Sequence, residues 1–197
     1  MKFEKLSVVV PCFNEEATIE ELINRVISSP RCDLYLEIII VDDGSTDESK
    51  EKIRLLASNS DFIKFIENPV NQGKGGALRN GFAEATGEIV LIQDADLEYD
   101  PKDYPKLLEP ILDDKADVVF GSRFSGGSSH RVLYFWHYVG NKVLTSISNM
   151  FTGLNLTDME TCYKAFRREI IQSIKLSENR FGVEPEITAK VAKIKPE

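Results

Sequence analysis

The segment from Ile89 to Glu98 reads IVLIQDADLE. Four apolar residues are followed by a glutamine and by two aspartates with one alanine between them. An apolar run of this length, bounded by polar residues, predicts a buried β-strand. Side chains two positions apart in an extended chain lie on the same side, so Asp94 and Asp96 can face a single divalent cation. The segment therefore predicts a strand that ends in a site for a metal ion and a diphosphate.

Two earlier segments repeat this layout. Leu6 to Val10 reads LSVVV and leads into Pro11 to Glu16, and Glu37 to Val41 reads EIIIV and leads into Asp42 to Asp47. Strands of this buried type are typical of parallel sheets, which bind ligands at their carboxyl edge. Polar and acidic side chains that bind a ligand are thus expected along one edge of the sheet.

Helical and extended patterns alternate along the chain. Helices are predicted at Glu15 to Ser29, Asp47 to Ser58 and Gly75 to Ala85, and further strands at Phe62 to Glu67 and Asp117 to Gly121. This alternation predicts an α/β protein with a three-layer α/β/α fold and a central, mainly parallel sheet. At 197 residues the chain is expected to form a single domain, residues 1–197.

The composition narrows the class of protein. A net charge of -8 argues against a nucleic-acid partner, which requires a basic surface. Three cysteines without a close pair argue against a disulfide framework or structural zinc and favour a reducing compartment. The N-terminus has no apolar run of signal-peptide length, so a cytoplasmic location is expected.

Candidate ligand-binding residues follow the predicted strands. Asp43 can accept hydrogen bonds from a nucleobase or ribose, whereas Ser45 or Asp47 can cap the next helix. Asn71 to Ala77 reads NQGKGGA, and its glycines allow either close approach to a phosphate or a tight turn. Because the order of residues does not match a Walker A loop, this segment predicts only a turn that places Lys74 near the ligand.

Two arginines are candidates for contacts with phosphate. Arg123 follows the strand predicted at 117–121, and Arg131 lies beyond a segment rich in Gly and Ser. A guanidinium can bind phosphate through two parallel hydrogen bonds. A solvated surface position is the alternative for each of them.

The segment from Arg131 to Phe151 has apolar residues at helical spacing and predicts an amphipathic helix, either continuous or broken in two. It has no run of 18 apolar residues and does not predict a transmembrane span. Packing on the sheet and lying on a membrane surface are both open, and the aromatic residues at 134–136 and 138 are the reason to retain the second. Residues 128–152 are therefore the candidate interfacial region.

Four motifs in this order resemble the family 2 glycosyltransferases of the GT-A fold, particularly those that act on dolichyl or polyprenyl phosphate. They are Val10-Pro11-x-Phe13-Asn14-Glu15, Val41-Asp42-Asp43-Gly44-Ser45-x-Asp47, Asn71-x-Gly73-Lys74-Gly75 and Gln93-Asp94-Ala95-Asp96. The resemblance implies an inverting enzyme that moves a hexose from a nucleotide-diphosphate sugar, such as GDP-mannose or UDP-glucose, to a polyprenyl or dolichyl phosphate. It also implies Mg²⁺ or Mn²⁺ as cofactor and a peripheral position at the cytoplasmic face of the membrane.

The resemblance further implies roles for individual residues. It implies a nucleoside site formed by Pro11, Phe13, Glu15, Val41 and Asp43, a metal site formed by Asp94, Asp96 and Glu98 with Ala95 beside it, and phosphate contacts from Arg123 and Arg131. Thr157 to Arg167 reads TDMETCYKAFR and resembles the family's segment near the reacting sugar, which makes Asp158 the candidate catalytic residue. Because a phosphate acceptor is already ionised, Asp158 either removes a proton or orients the acceptor or sugar.

Two alternatives accompany this interpretation. The first is a transferase of the same fold that acts on a polysaccharide or soluble acceptor, and the second is a non-catalytic module that binds nucleotide sugars. The family's members continue with a further strand and a basic segment, so a domain truncated at its C-terminus is expected. The sequence does not indicate the donor base, the sugar, the acceptor lipid or the oligomeric state.

Overall fold

The computed structural model describes residues 3–124, 135–180 and 182–194. Within these residues the strands are β1 Lys5–Cys12, β2 Tyr35–Asp42, β3 Ile63–Glu67, β4 Ile89–Ile92, β5 Val118–Phe120 and β6 Lys164–Arg167. The helices are α1 Ile19–Ile27, α2 Ser49–Ser58, α3 Lys74–Glu84, α4 Tyr104–Leu112, α5 Phe135–Thr152, α6 Arg168–Ser173 and α7 Val183–Val191. A short 3-10 turn, Pro101–Asp103, leads into α4.

The strands form one sheet in the order β3-β2-β1-β4-β6-β5. The pairs β1–β2, β1–β4 and β2–β3 are parallel, whereas β6 runs antiparallel to both β4 and β5. The chain extends from β1 first towards β3 and then returns to place β4 on the other side of β1. This reversal leaves a crevice at the carboxyl ends of β1 and β4, where open α/β sheets bind their ligands.

Helices cover both faces of the sheet. On one face, Val8 and Ile38 belong to a core shared with α1, α2 and α4. On the other face, Val9 and Ile39 belong to a core shared with α3, α6 and α7. Successive strand residues thus enter opposite cores, as the period of a β-strand requires. The predicted three-layer α/β/α architecture with a mainly parallel sheet is confirmed.

The first two helices begin later than predicted because the loops after β1 and β2 bind each other. The N–H of Glu16 donates to Asp47 Oδ2 at 3.1 Å, and Asp47 Oδ1 accepts the N–H of Ser49 at 3.0 Å. Residues 15–18 therefore form a turn, and α1 begins at Ile19 rather than at Glu15. The two loops form one linked rim beside the crevice.

Candidate functional site

A cleft of about 700 Å³ opens at the carboxyl ends of β1 and β4. Eight of the residues that line it were predicted as site residues from the sequence, and they come from the end of β1, from the loops after β1, β2 and β4 and from the start of α3. They are Pro11, Phe13, Glu15, Asp43, Lys74, Asp94, Ala95 and Asp96. The sheet thus brings together segments that are far apart in the chain.

Asp43 organises one wall of the cleft. Its carboxylate is buried, and Oδ1 accepts the Asn68 Nδ2 amide at 2.8 Å and the Gln72 N–H at 3.0 Å. Oδ2 accepts the Gly73 N–H at 2.7 Å. Since an ionised carboxylate has about four acceptor positions, the protein uses three of them and leaves roughly one for a ligand. Asp43 therefore fixes the glycine-rich turn in addition to lining the cleft.

The glycines of this turn accommodate protein backbone. Gly73 adopts φ +87°, and a Cβ on Gly73 or Gly75 would collide with the carbonyl oxygen of Asn179 or Glu178, respectively. The same Asn179 oxygen accepts the N–H of Gly75 at 2.9 Å and that of Gly76 at 3.3 Å. The first amides of α3 are therefore occupied by a carbonyl group. Of the two explanations that the sequence left open, the positive φ of Gly73 agrees with a tight turn, and the space at both glycines is filled by protein backbone.

Lys74 is held between two carboxylates. Its Nζ lies 2.9 Å from Asp94 Oδ1, 3.0 Å from Asp94 Oδ2 and 2.9 Å from Glu184 Oε1. Burial alone would lower the pKa of Lys74, but the surrounding negative groups, including Asp94 and Glu184, raise it above its ordinary value. Lys74 is therefore a permanent ammonium that links the end of β4 to the start of α7.

Asp94 and Asp96 both line the cleft, with Asp94 partly buried and Asp96 exposed. The chain does not stay extended beyond them, because Leu97 adopts φ +60° and the N–H of Glu98 donates to Asp96 Oδ1 at 2.9 Å. The placement of Glu98 on the same side depended on an extended chain, and Glu98 does not line the cleft. Within the described residues, no three His, Cys, Asp or Glu side chains form a group that could hold a metal.

Asp158 lies outside the cleft, almost completely buried, and is saturated with hydrogen bonds. Oδ2 accepts the backbone N–H of Arg123 at 3.1 Å and its Nε at 2.7 Å, while Oδ1 accepts Arg123 Nη2 at 2.9 Å and Asn141 Nδ2 at 2.9 Å. Burial disfavours the charged carboxylate, but the bonds from Arg123 and Asn141 hold the pKa of Asp158 below its ordinary value. Because four donors already occupy its carboxylate, Asp158 is better suited to positioning Arg123 and Asn141 than to removing a proton.

Val41 is a further predicted residue that does not line the cleft. Val41 is fully buried in the core, where the alternation of β2 directs its side chain towards Gly81 of α3. A contact between its side chain and the nucleoside is therefore not supported. Arg131 lies outside the described residues, as do residues 128–134 of the candidate interfacial region.

Helix α5 is continuous over the range that the structure describes, and its polar stripe faces inward. Asn141 binds Asp158, and Thr145 is buried, donates to Asn141 Oδ1 at 3.0 Å and accepts the Met159 N–H at 3.1 Å. One turn later, Asn149 exchanges two hydrogen bonds with the backbone of Leu156 at 2.8 and 3.0 Å. Packing of the apolar face on the sheet, one of the two predicted roles, is not observed.

The apolar face of α5 is exposed instead. Large side chains on it are between 40% and 81% exposed, namely Phe135, Trp136, Tyr138, Val143, Leu144, Ile147, Met150 and Phe151. No helix within the described parts of the chain is both long and apolar enough to cross a membrane.

Sequence reasoning missed several residues of the site. Cys12, Asn71, Ala77 and Arg180 also line the cleft, and Glu184 binds Lys74. Cys12 and Asn71 lie within motifs that had been recognised. Arg180 and Glu184 follow no strand, so the rule that carboxyl ends of strands meet at one edge gave no reason to place them there.

Comparison with known proteins identifies the family of this chain. Residues 7–175 match the family described as Glycosyl transferase family 2. The dolichol-phosphate mannosyltransferase of Pyrococcus furiosus is 30% identical over 188 residues, which cover 94% of this chain and 53% of that protein. The undecaprenyl-phosphate 4-deoxy-4-formamido-L-arabinose transferase of Sodalis glossinidius is 30% identical over 88% of this chain and 52% of its own length. The chain thus spans about half the length of these relatives.

A similar solved structure is glucosyl-3-phosphoglycerate synthase from Mycobacterium tuberculosis in complex with Mn²⁺, UDP and phosphoglyceric acid. It superposes with a TM-score of 0.71 and 27% identity, covering 93% of this chain and 62% of that chain. TarS from S. aureus superposes with a TM-score of 0.67 and 26% identity, covering 95% of this chain and 55% of that chain. The predicted GT-A fold is confirmed, and the chain belongs to glycosyltransferase family 2.

Proposed function

We propose that this chain carries the donor site of an inverting glycosyltransferase that moves a hexose from a nucleotide-diphosphate sugar to a polyprenyl phosphate. The observation that carries the proposal is the cleft, where eight predicted donor-site residues converge at the carboxyl edge of the sheet. The named activities of the two curated relatives support the class of acceptor.

The nucleoside would occupy the part of the cleft lined by Pro11, Phe13, Glu15 and Asp43. Phe13 is 44% exposed and offers an aromatic surface to a base, and Asp43 retains an acceptor position for a base or ribose donor. Because the loops after β1 and β2 bind each other, this wall is formed before the ligand arrives.

Asp94 and Asp96 would hold Mg²⁺ or Mn²⁺. Their carboxylate oxygens are ligands that both ions accept, and Mg²⁺ commonly uses one or two carboxylates together with substrate phosphates. A pair of protein carboxylates at the end of β4 fits that chemistry. When bound, such an ion neutralises charge on the departing diphosphate.

In the proposed reaction an acceptor phosphate oxygen forms a bond with the anomeric carbon, and the bond from that carbon to the β-phosphate oxygen breaks. The nucleoside diphosphate departs with the electron pair, and attack from the opposite face inverts the anomeric centre. The acceptor needs no base, because its phosphate is already ionised. Asp158 would therefore act by holding Arg123 through its Nε and Nη2 groups, so that the guanidinium can bind the acceptor phosphate.

The exposed apolar face of α5 would lie in a membrane surface and bring the lipid phosphate towards Arg123. Trp136 is 76% exposed and Phe135 67%, and such side chains partition into the interfacial region of a bilayer. Asn141 of helix α5 donates a hydrogen bond to Asp158, which also binds Arg123. The membrane-binding helix and the residue proposed to bind the acceptor phosphate would therefore lie next to each other.

Calorimetric titration tests the donor site. UDP-glucose and GDP-mannose are added separately to the protein with Mn²⁺ and again with EDTA. Heat that appears for one donor only when the metal is present would support the proposal and identify the base. No metal-dependent heat for either donor would contradict it.

A soluble acceptor is the second candidate, favoured by the similarity to glucosyl-3-phosphoglycerate synthase. Flotation with liposomes that contain anionic lipid separates the two possibilities. If the membrane proposal is correct, the double variant Phe135→Ser/Trp136→Ser floats much less than the wild type, whereas Leu55→Ser, which changes an exposed apolar residue on α2, floats as the wild type does. Equal behaviour of all three proteins would favour the soluble acceptor.

A further inference from the structure

Arg180 lies at the cleft on a loop that the rest of the protein holds firmly. The Glu186 carboxylate accepts the N–H of Ser177 at 2.9 and 3.0 Å and that of Glu178 at 2.9 Å. The next residue, Asn179, accepts the first amides of α3. Arg180 follows directly, and a Cβ on Gly73 would lie only 2.8 Å from its Cγ. The backbone of the loop is thus fixed against the turn that carries Lys74.

The other cations near the site already have partners. Lys74 is paired with both Asp94 and Glu184, and Arg123 is paired with Asp158 and lies outside the cleft. Among the described residues that line the cleft, Arg180 is the cation that makes no ion pair, and its side chain is exposed. It is therefore free to bind a ligand.

The charge of the cleft favours such a group in addition to the metal proposed at Asp94 and Asp96. Four carboxylates line it, those of Glu15, Asp43, Asp94 and Asp96, and each repels a phosphate group. Lys74 contributes little net attraction, because two carboxylates already surround its ammonium. An arginine with a free planar guanidinium can bind two phosphate oxygens at once, which an ammonium cannot do with the same geometry.

We infer that Arg180 binds the diphosphate of the nucleotide donor through its guanidinium. This inference rests on the proposed function and assigns to it a residue that strand-end motifs do not identify. The loop 177–180 positions the arginine, and the small volume of Gly73 lets it approach the turn. Arg180 would therefore contribute to donor affinity through the phosphates and would not contribute through the base or ribose.

The test compares ligands with and without phosphates. The dissociation constants of UDP and GDP are measured by calorimetry with Mn²⁺, and those of uridine and guanosine by NMR titration, for wild type, Arg180→Gln and Arg180→Lys. Loss of a charge-assisted hydrogen bond weakens binding by roughly 10- to 100-fold. We expect this loss for the diphosphate with Arg180→Gln, a smaller loss with Arg180→Lys, and nucleoside affinity within twofold of wild type for both.

Lys175→Gln is the matched control, because it removes an exposed positive charge from the same part of the chain outside the cleft. Diphosphate affinity that falls equally in Arg180→Gln and Lys175→Gln, or stays within twofold of wild type in Arg180→Gln, would overturn the inference while leaving the donor site intact. Failure of the wild-type protein to bind either diphosphate would overturn the donor site and the role of Arg180 together.

Discussion

The cleft and helix α5 place their polar and apolar side chains in opposite directions. In the cleft, carboxylates face a ligand space, and a cation, Lys74, is retained among them. On α5, the polar residues Asn141 and Thr145 face the protein, and the apolar residues face outward. The cleft is built from an apolar sheet that presents polar ends, whereas α5 is attached by hydrogen bonds and keeps its apolar surface free.

The difference shows that an amphipathic pattern predicts a helix and its two faces but not which face is buried. Thr145 is buried and Asn141 is partly buried, and both are tolerated because they form hydrogen bonds, with Asp158 and with the backbone at Met159. A solvent-exposed apolar surface as large as that of α5 indicates that the surface has a function. If this comparison is correct, removing polar anchors should destabilise the α5 side, and removing its outward apolar groups should not.

The largest effect is expected at Asp158. Asp158→Ala leaves the half-buried guanidinium of Arg123 and the amide of Asn141 without their partner, and breaking a buried ion pair costs about 3–5 kcal/mol. Urea denaturation followed by circular dichroism measures the loss. A change below about 1 kcal/mol would show that the polar interface does not hold α5 in place.

The pH dependence of stability provides an independent check on the same pair. Because the pKa of Asp158 is lowered in the folded protein, its contribution is present above the unfolded value near 3.9 and is lost as the pH falls through the folded value. Asp158→Asn should therefore reduce the difference in stability between pH 6 and pH 3. An unchanged difference would contradict the assigned ionisation.

On the cleft side, Asp96→Ala should abolish metal-dependent donor binding while preserving the fold. Asp96 is exposed and makes one hydrogen bond, to the N–H of Glu98, so its removal costs little stability. Loss of an outer partner of a metal ligand typically costs 10- to 100-fold in metal affinity, and loss of a ligand should cost about 100-fold or more. Calorimetry with and without Mn²⁺ measures the effect, and Asp100→Ala, an exposed aspartate outside the cleft, is the control.

A smaller effect is expected at Glu184. Glu184→Gln removes one of the two carboxylates around Lys74, so the ammonium depends on Asp94 alone and competes more strongly with the metal. Mn²⁺ affinity should fall about tenfold, in the range typical of groups that support a metal ligand. Titration of Mn²⁺ monitored by electron paramagnetic resonance measures it. Unchanged Mn²⁺ affinity in a folded variant would show that Glu184 does not support the metal site.

Much of the cleft could be predicted from the sequence because the signal is local. An apolar strand that ends in Asp94 and Asp96 needs only the geometry of a parallel sheet to become a site, and the same logic places Asp43 and Phe13. Arg180 could not be predicted in this way, because its position depends on the docking of one loop onto the glycines of another.

Other details depended on tertiary contacts that no short pattern contains. Glu98 would share the side of Asp96 only in an extended chain, and the left-handed turn at Leu97 ends that extension. The inward face of α5 depends on partners from residues 156–159, which lie in a different segment. Side-chain types on the helix could not identify these partners in advance.

The smallest effect is expected on the outward face of α5. Met150 is 73% exposed, so Met150→Asn should change the free energy of unfolding by less than about 0.5 kcal/mol. The neighbouring Asn149→Ala should cost about 1–2 kcal/mol, because it removes two hydrogen bonds to Leu156. Adjacent residues of one helix would then show that its polar face, and not its apolar face, is bound to the protein. The reverse order in urea denaturation would mean that the apolar face contributes to the fold.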